Sequence, residues 1–106
     1  MPFSWLFFWR RAATRDTPSG AHVRVYLYTR AGCHLCEDAY ATLAAAQARW
    51  GFALETVDVD SDAKLVELYG ESVPVVCVNE RVRFRGAVNP VLLERLLHAE
   101  AGRSST

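Results

Sequence analysis

Tyr28-Thr29-Arg30-Ala31-Gly32-Cys33-His34-Leu35-Cys36 is the stretch on which the reading of this chain turns. Ahead of and into it, Val23, Val25 and Leu27 alternate with Arg24, Tyr26 and Tyr28. That period of two, rich in β-branched and aromatic residues, predicts a strand over 22–29. Beyond it, the alanine-rich run from Cys33 to Trp50 carries Leu35, Ala39, Leu43 and Ala46 at helical spacing, with Gly51 where a left-handed terminal glycine belongs. The CxxC therefore falls on a strand-to-helix turn. There the first sulfur meets the unpaired N–H groups and the positive dipole end of a helix, which favour a thiolate. The second sulfur lies one turn on along the same face, close enough to bridge to the first. An accessible, acidified thiol attacks a disulfide, and a neighbouring thiol resolves the mixed disulfide that results. Cys33 is thus expected to be the nucleophile and Cys36 the resolving partner. A protonated His34 would favour the thiolate further, while Glu37 and Asp38 oppose it slightly.

Working outward, Phe52 to Val59 reads as a second strand, and Ser61 is expected to cap a short helix over 62–69 that Gly70 ends. Val75 to Val78 is almost wholly apolar, as in a strand covered on both faces. Asn79-Glu80 makes a tight turn into Arg81–Arg85, where arginines are expected outward on a sheet edge and Val82 and Phe84 inward. Asn89 caps a last helix with Pro90 in its first turn and Leu92, Leu93, Leu96 and Leu97 as its buried stripe. The order is β-α-β-α-β-β-α. Strands one and two, joined through a long helix, should be parallel with a right-handed crossover, and the last two antiparallel. The prediction is an α/β fold with a mixed four-stranded sheet flanked by helices.

At 106 residues the chain has room for one domain, expected over 22–101. Residues 1–21 form an aromatic and then basic extension, expected to be loosely ordered, and 102–106 a frayed tail. The extension's charge follows its apolar stretch rather than preceding it, so no export signal is expected; contact of its Phe and Trp residues with a membrane surface, and packing against the domain or a partner, are the other readings of it. Twelve basic residues, eleven of them arginine, balance twelve acidic ones. No global field draws the chain to nucleic acid. Three cysteines are too few for a secreted disulfide scaffold. A cytoplasmic monomer is expected. Cys77 reads as a buried free thiol, Trp50 as a core or capping aromatic, the acidic run from Glu55 to Glu71 as a solvated face, and Tyr28 as a lining residue of the substrate groove. A zinc ribbon or finger would need two further ligands at short spacing, and His22, His34 and His98 supply no such pattern.

The loop from Tyr28 to Cys36 resembles the active-site loop of glutaredoxins and of small bacterial glutaredoxin-like proteins. Val73-Pro74-Val75 resembles the family's valine–proline signature, and Gly86 before a capped helix resembles its C-terminal glycine motif. The similarity spans roughly residues 22–98, with the three motifs in family order. It implies the thioredoxin fold, a cis peptide bond at Val73-Pro74, and a thiol–disulfide oxidoreductase working through a Cys33–Cys36 redox disulfide and taking part in cell redox homeostasis. Substrate-binding roles are implied for Arg30, His34, Val73, Pro74 and Gly86, with Val73 offering its backbone to an extended disulfide substrate. Where the family usually has a proline–aromatic pair between the cysteines, this chain has His34-Leu35; where it usually has Gly-Gly-x-Asp, Gly86-Ala87-Val88-Asn89 stands. No bound organic cofactor is implied. Electrons would come from glutathione or from a thioredoxin-reductase-type partner, and the substrates would be disulfide-containing proteins or glutathione mixed disulfides. The alternative is a module of the same fold that carries a metal or an iron–sulfur cluster.

Overall fold

The computed structural model describes residues 20–103, and the expectations for residues 1–19 and 104–106 lie outside them. The elements are β1 (Arg24–Thr29), α1 (His34–Trp50), β2 (Ala53–Asp58), a single 3-10 turn (Val59–Ser61), α2 (Ala63–Tyr69), β3 (Val75–Val78), β4 (Arg81–Arg85) and α3 (Pro90–Gly102). The strands lie in the order β2-β1-β3-β4. β1 and β2 are parallel, and β3 runs antiparallel to both β1 and β4. The predicted α/β architecture is the one observed.

Alternation in β1 divides the sheet into two faces. Val25 and Leu27 stand opposite Val78 and Val76 in register, and these four, with Val23, pack against Ala39, Leu43 and Ala46 of α1 and Leu93 and Leu97 of α3. Each leucine fully withdrawn from water there contributes about 2 kcal/mol. On the reverse face, Tyr28 stacks at 4.8 Å on Tyr69 of α2, and Arg85 lies 5.8 Å over the same ring. So α1 and α3 cover one face and α2 the other.

Two glycines are required where they stand. Gly51 closes α1 with φ 78°, its N–H donating to the Gln47 carbonyl, a left-handed cap that a side chain would strain. Gly20 passes so close to Trp50 that a Cβ on it would come within 2.9 Å of the Trp50 carbonyl oxygen. Its N–H donates to that same oxygen, so the chain is docked from Gly20 onward, ahead of the expected domain start at residue 22.

Several local expectations are corrected. Leu35 is 49% exposed; the buried stripe of α1 runs Cys36, Ala39, Leu43, Ala46, a 3-4-3 spacing that excludes a residue one step earlier. Leu92 is 51% exposed because α3 buries Leu93, Leu97 and Ala101, with Leu96 half-buried at its flank. Asp62, not Ser61, caps α2: its side chain accepts from the Lys64 N–H, while Ser61 belongs to the 3-10 turn and donates to the Asp58 carbonyl. Val82 does not point inward with Phe84. Cys77 pairs with Val82 and Val76 with Phe84, so Arg83 is an extra residue, and this bulge turns Val82 onto the opposite face. β1 begins at Arg24 rather than His22, and α3 runs one residue past the expected domain end.

Candidate active site

Every predicted site residue sits at the end of the sheet where β1 stops. β1 leaves the sheet at Thr29, and the loop from Arg30 to Cys33 turns back into α1. Because Tyr28 pairs with Val75 in an antiparallel ladder, Pro74 and Val73 emerge at the same end. Val75 in turn pairs with Arg85, which brings Gly86 there too, and the Gly86 N–H donates to the Pro74 carbonyl at 2.8 Å. The Val73–Pro74 peptide bond is cis. Pro74 is buried and Val73 half-buried.

Cys33 is the N-cap of α1, and its Sγ accepts a hydrogen bond from the Cys36 backbone N–H at 3.1 Å. The two cysteines are joined as a disulfide, with their Cα atoms 5.2 Å apart. They are not equivalent. Both line an open cleft, but Cys36 is 4% exposed within the helix stripe, whereas Cys33 is only half-buried. An attacking group reaches the first sulfur more readily than the second. His34 is exposed and stands beyond the cleft's lining.

That cleft, about 550 Å³, is lined by Leu27, Thr29, Arg30, Cys33, Glu37 and Tyr40 among others. It therefore opens on the α1 face of the sheet. Tyr28 does not line it, and neither do Val73, Pro74 and Gly86: alternation places the Tyr28 ring on the reverse face, stacked on Tyr69, where burial pushes its hydroxyl above the ordinary tyrosine range. Three of the five N–H groups of the Arg30 guanidinium are engaged. Its Nε and one terminal nitrogen donate to the two Asp60 oxygens, each at 3.0 Å, and its other terminal nitrogen donates to the Gly70 carbonyl at 3.1 Å. The Arg30 hydrogen bond holds the Asp60 carboxyl below the usual carboxylate range.

Asp60 is the residue sequence reasoning passed over, in a stretch read as a solvated face. Its signal was the parallel pairing: β1 and β2 in register end together, so residues just after Asp58 must meet residues just after Thr29. Cys77, as expected, is a buried free thiol; burial pushes it above the ordinary thiol range. Trp50 packs against the core and donates its Nε1–H to Glu94. Among the described residues no group of three or more His, Cys, Asp or Glu side chains is placed to hold a metal ion, and no helix is long and apolar enough to cross a membrane.

The model of the glutaredoxin-like domain family, DUF836, matches residues 24–98. The X-ray structure of protein XcR50 from X. campestris is 37% identical, with 71% of this chain and 96% of that one covered and a TM-score of 0.59. The solution NMR structure of protein Ne2328 from Nitrosomonas europaea gives a TM-score of 0.62 at 28% identity, covering 70% of this chain and 89% of that one. A mutant thioredoxin from Halobacterium salinarum, at 19% identity and a TM-score of 0.59 over 81% of this chain and 77% of that one, shares the fold. Among curated proteins none matches.

Proposed function

Since the chain belongs to the glutaredoxin-like domain family (DUF836) and has a thioredoxin fold with its CxxC pair at disulfide distance, we propose that it is a dithiol thiol–disulfide oxidoreductase. The observation that carries this reading is the inequality of the two cysteines: Cys33, at the helix cap and half-buried, and Cys36, one turn on and buried.

In the dithiol form, the Cys36 N–H and the N-terminal end of α1 favour the Cys33 thiolate. That thiolate attacks one sulfur of a substrate disulfide. A Cys33–substrate S–S bond forms, the substrate S–S bond breaks, and the departing thiolate takes a proton from solvent. Cys36 then loses its proton and attacks the Cys33 sulfur. The Cys33–Cys36 bond forms, the second substrate thiolate leaves, and two electrons have passed from the protein dithiol to the substrate. The disulfide described above is the product of that cycle, and a dithiol or two monothiols must reduce it again. Glutathione or a thioredoxin-reductase-type protein is the class of donor proposed. Val73, Pro74 and Gly86, gathered at the same end of the sheet, would frame the substrate chain beside Cys33, in cytoplasmic protein disulfides or glutathione mixed disulfides.

The test is thiol release from the oxidised protein in glutathione, glutathione reductase and NADPH, beside a parallel reaction in dithiothreitol. Release in both identifies glutathione as a donor. Release in dithiothreitol alone assigns the recycling to a protein reductase. A Cys33→Ser protein that still reduced disulfides at the wild-type rate would refute the assignment of roles.

A further inference from the structure

A cleft beside a reactive sulfur imposes its charge on whatever disulfide approaches. Among the described residues Arg30 is the single cation lining this one, and it is bound in a bidentate pair by Asp60. Arginine's planar fork holds one carboxylate well in this way, and Asp60 offsets the charge that would otherwise draw a second carboxylate from solvent. The remaining charged group of the lining is Glu37, in the first turn of α1. Asp58 and Glu71 also lie near enough to Arg30 to favour its charged form. Arg85 does not restore the balance, because the register places it on the reverse face of the sheet, over the Tyr69 ring.

We propose that the cleft selects neutral and cationic disulfides over anionic ones, with Asp60 and Glu37 as its specificity-determining residues. This rests on the oxidoreductase reading and adds to it a substrate class: disulfides in basic or uncharged segments of protein. The same field meets an incoming reductant. A small thiol of net negative charge enters against it, and a protein donor presenting a basic surface enters with it. Asp60 occupies on Arg30 the seat that a substrate carboxylate would take. Glu37, close to the reacting sulfur, repels the same substrate directly. Neither touches the electrons being exchanged; both act on which disulfide arrives.

The experiment follows oxidation of the pre-reduced full-length chain by three small disulfides: cystamine (cationic), bis(2-hydroxyethyl) disulfide (neutral) and oxidised glutathione (anionic). Each rate is divided by that of free dithiothreitol with the same disulfide, which removes the substrate's intrinsic reactivity. The expected order at low salt is cationic, then neutral, then anionic, with steps of about threefold, the size of an exposed ion pair. The order should collapse in 1 M NaCl, a concentration chosen because the Debye length there is about 3 Å.

Asp60→Asn and Glu37→Gln should each raise the anionic-to-cationic rate ratio about threefold. The ratio is the readout because a change in thiolate reactivity or in folding moves both rates alike. Normalised rates independent of substrate charge, or ratios unmoved by both substitutions, would overturn the proposal while leaving the oxidoreductase reading intact. If the neutral disulfide fails to oxidise Cys33 and Cys36 at all, the oxidoreductase reading falls and this one falls with it.

Discussion

At the end of the sheet where β1 gives way to α1, His34 and Leu35 stand exposed, Cys33 lines an open cleft, and distant side chains are tied by the Arg30–Asp60 pair and the Tyr28–Tyr69 stack. At the opposite end the side chains reach across the fold. Asn79 Oδ1 accepts from the Arg24 N–H at 3.0 Å, and its Nδ2 donates to Glu100 at 2.9 Å. Glu94 accepts from Trp50 and is ion-paired with Arg49, the Trp50 ring meets His98 edge-on at 6.0 Å, and His22 bonds the Glu100 carbonyl. One end leaves polar groups open for chemistry, and the other uses them to join the last turn of α1 to α3, and α3 to the sheet. Sites for reaction and sites for fixation are thus separated along the strands, with the apolar core between them.

Substitutions at the two ends should therefore move different measurements. The largest effect is expected from Cys33→Ser, which should lower disulfide-reductase kcat/KM about a thousandfold or more, while chemical denaturation of the reduced protein shifts by about 0.5 kcal/mol or less. Next comes Asn79→Ala at the far end. Asn79 sits at φ 50°, and the substitution removes two cross-fold hydrogen bonds as well as the residue type that best tolerates that conformation. A loss of about 2 kcal/mol is expected in urea unfolding, with kcat/KM unchanged. If that variant also lost activity, the separation of the two ends would be wrong.

Glu94→Gln sharpens the comparison through pH. Burial pushes the Glu94 carboxyl up, but the hydrogen bonds from Arg49 and Trp50 together outweigh it and leave it below the ordinary carboxylate range. A carboxylate lowered on folding stabilises above its unfolded pKa and loses that contribution as the pH falls through the folded one. The substitution should cost about 1 kcal/mol at neutral pH, an amount typical of a partly screened, hydrogen-bonded ion pair. The gap from the unsubstituted protein should close on acidification below the ordinary carboxylate range. Equal costs at neutral and acid pH would remove the ion pair from the account. Smallest is Leu92→Ala, on the exposed side of α3, where thermal unfolding should register a change within about 0.5 kcal/mol.

The order of elements, the strand directions and the redox pair were legible because each rests on a local signal. β1 alternates, Asn79-Glu80 has the residues of a two-residue hairpin turn, Asn89-Pro90 starts a helix, and the CxxC declares itself by its place on the strand-to-helix turn. What escaped depends on contacts between distant residues. Leu35 and Leu92 are as apolar as their buried neighbours, and only the rotation of each helix about its axis decides which leucine meets the sheet. The bulge at Arg83 has no glycine or proline to mark it and turns Val82 over all the same. The sequence shows Arg30 as a positive contact for substrate but not its pairing, because Asp60 lies thirty residues away (|i−j| = 30). Closeness in sequence puts Tyr28 beside the site, while the pleat turns its ring to the other side of the sheet from the cleft.

The irregularity at Arg83 also bears on how the molecule avoids its own kind. β4 ends the sheet, and an edge strand offers unpaired backbone groups to any chain that drifts alongside. A regular edge would accept a second strand residue by residue. Here the inserted residue breaks the ladder's repeat within a five-residue strand, and exposed Arg81, Arg83 and Arg85 would set like charges beside one another if two such edges met. The kink and the arginines together make this rim a poor template for fibril growth, a safeguard against aggregation built into the border of the sheet.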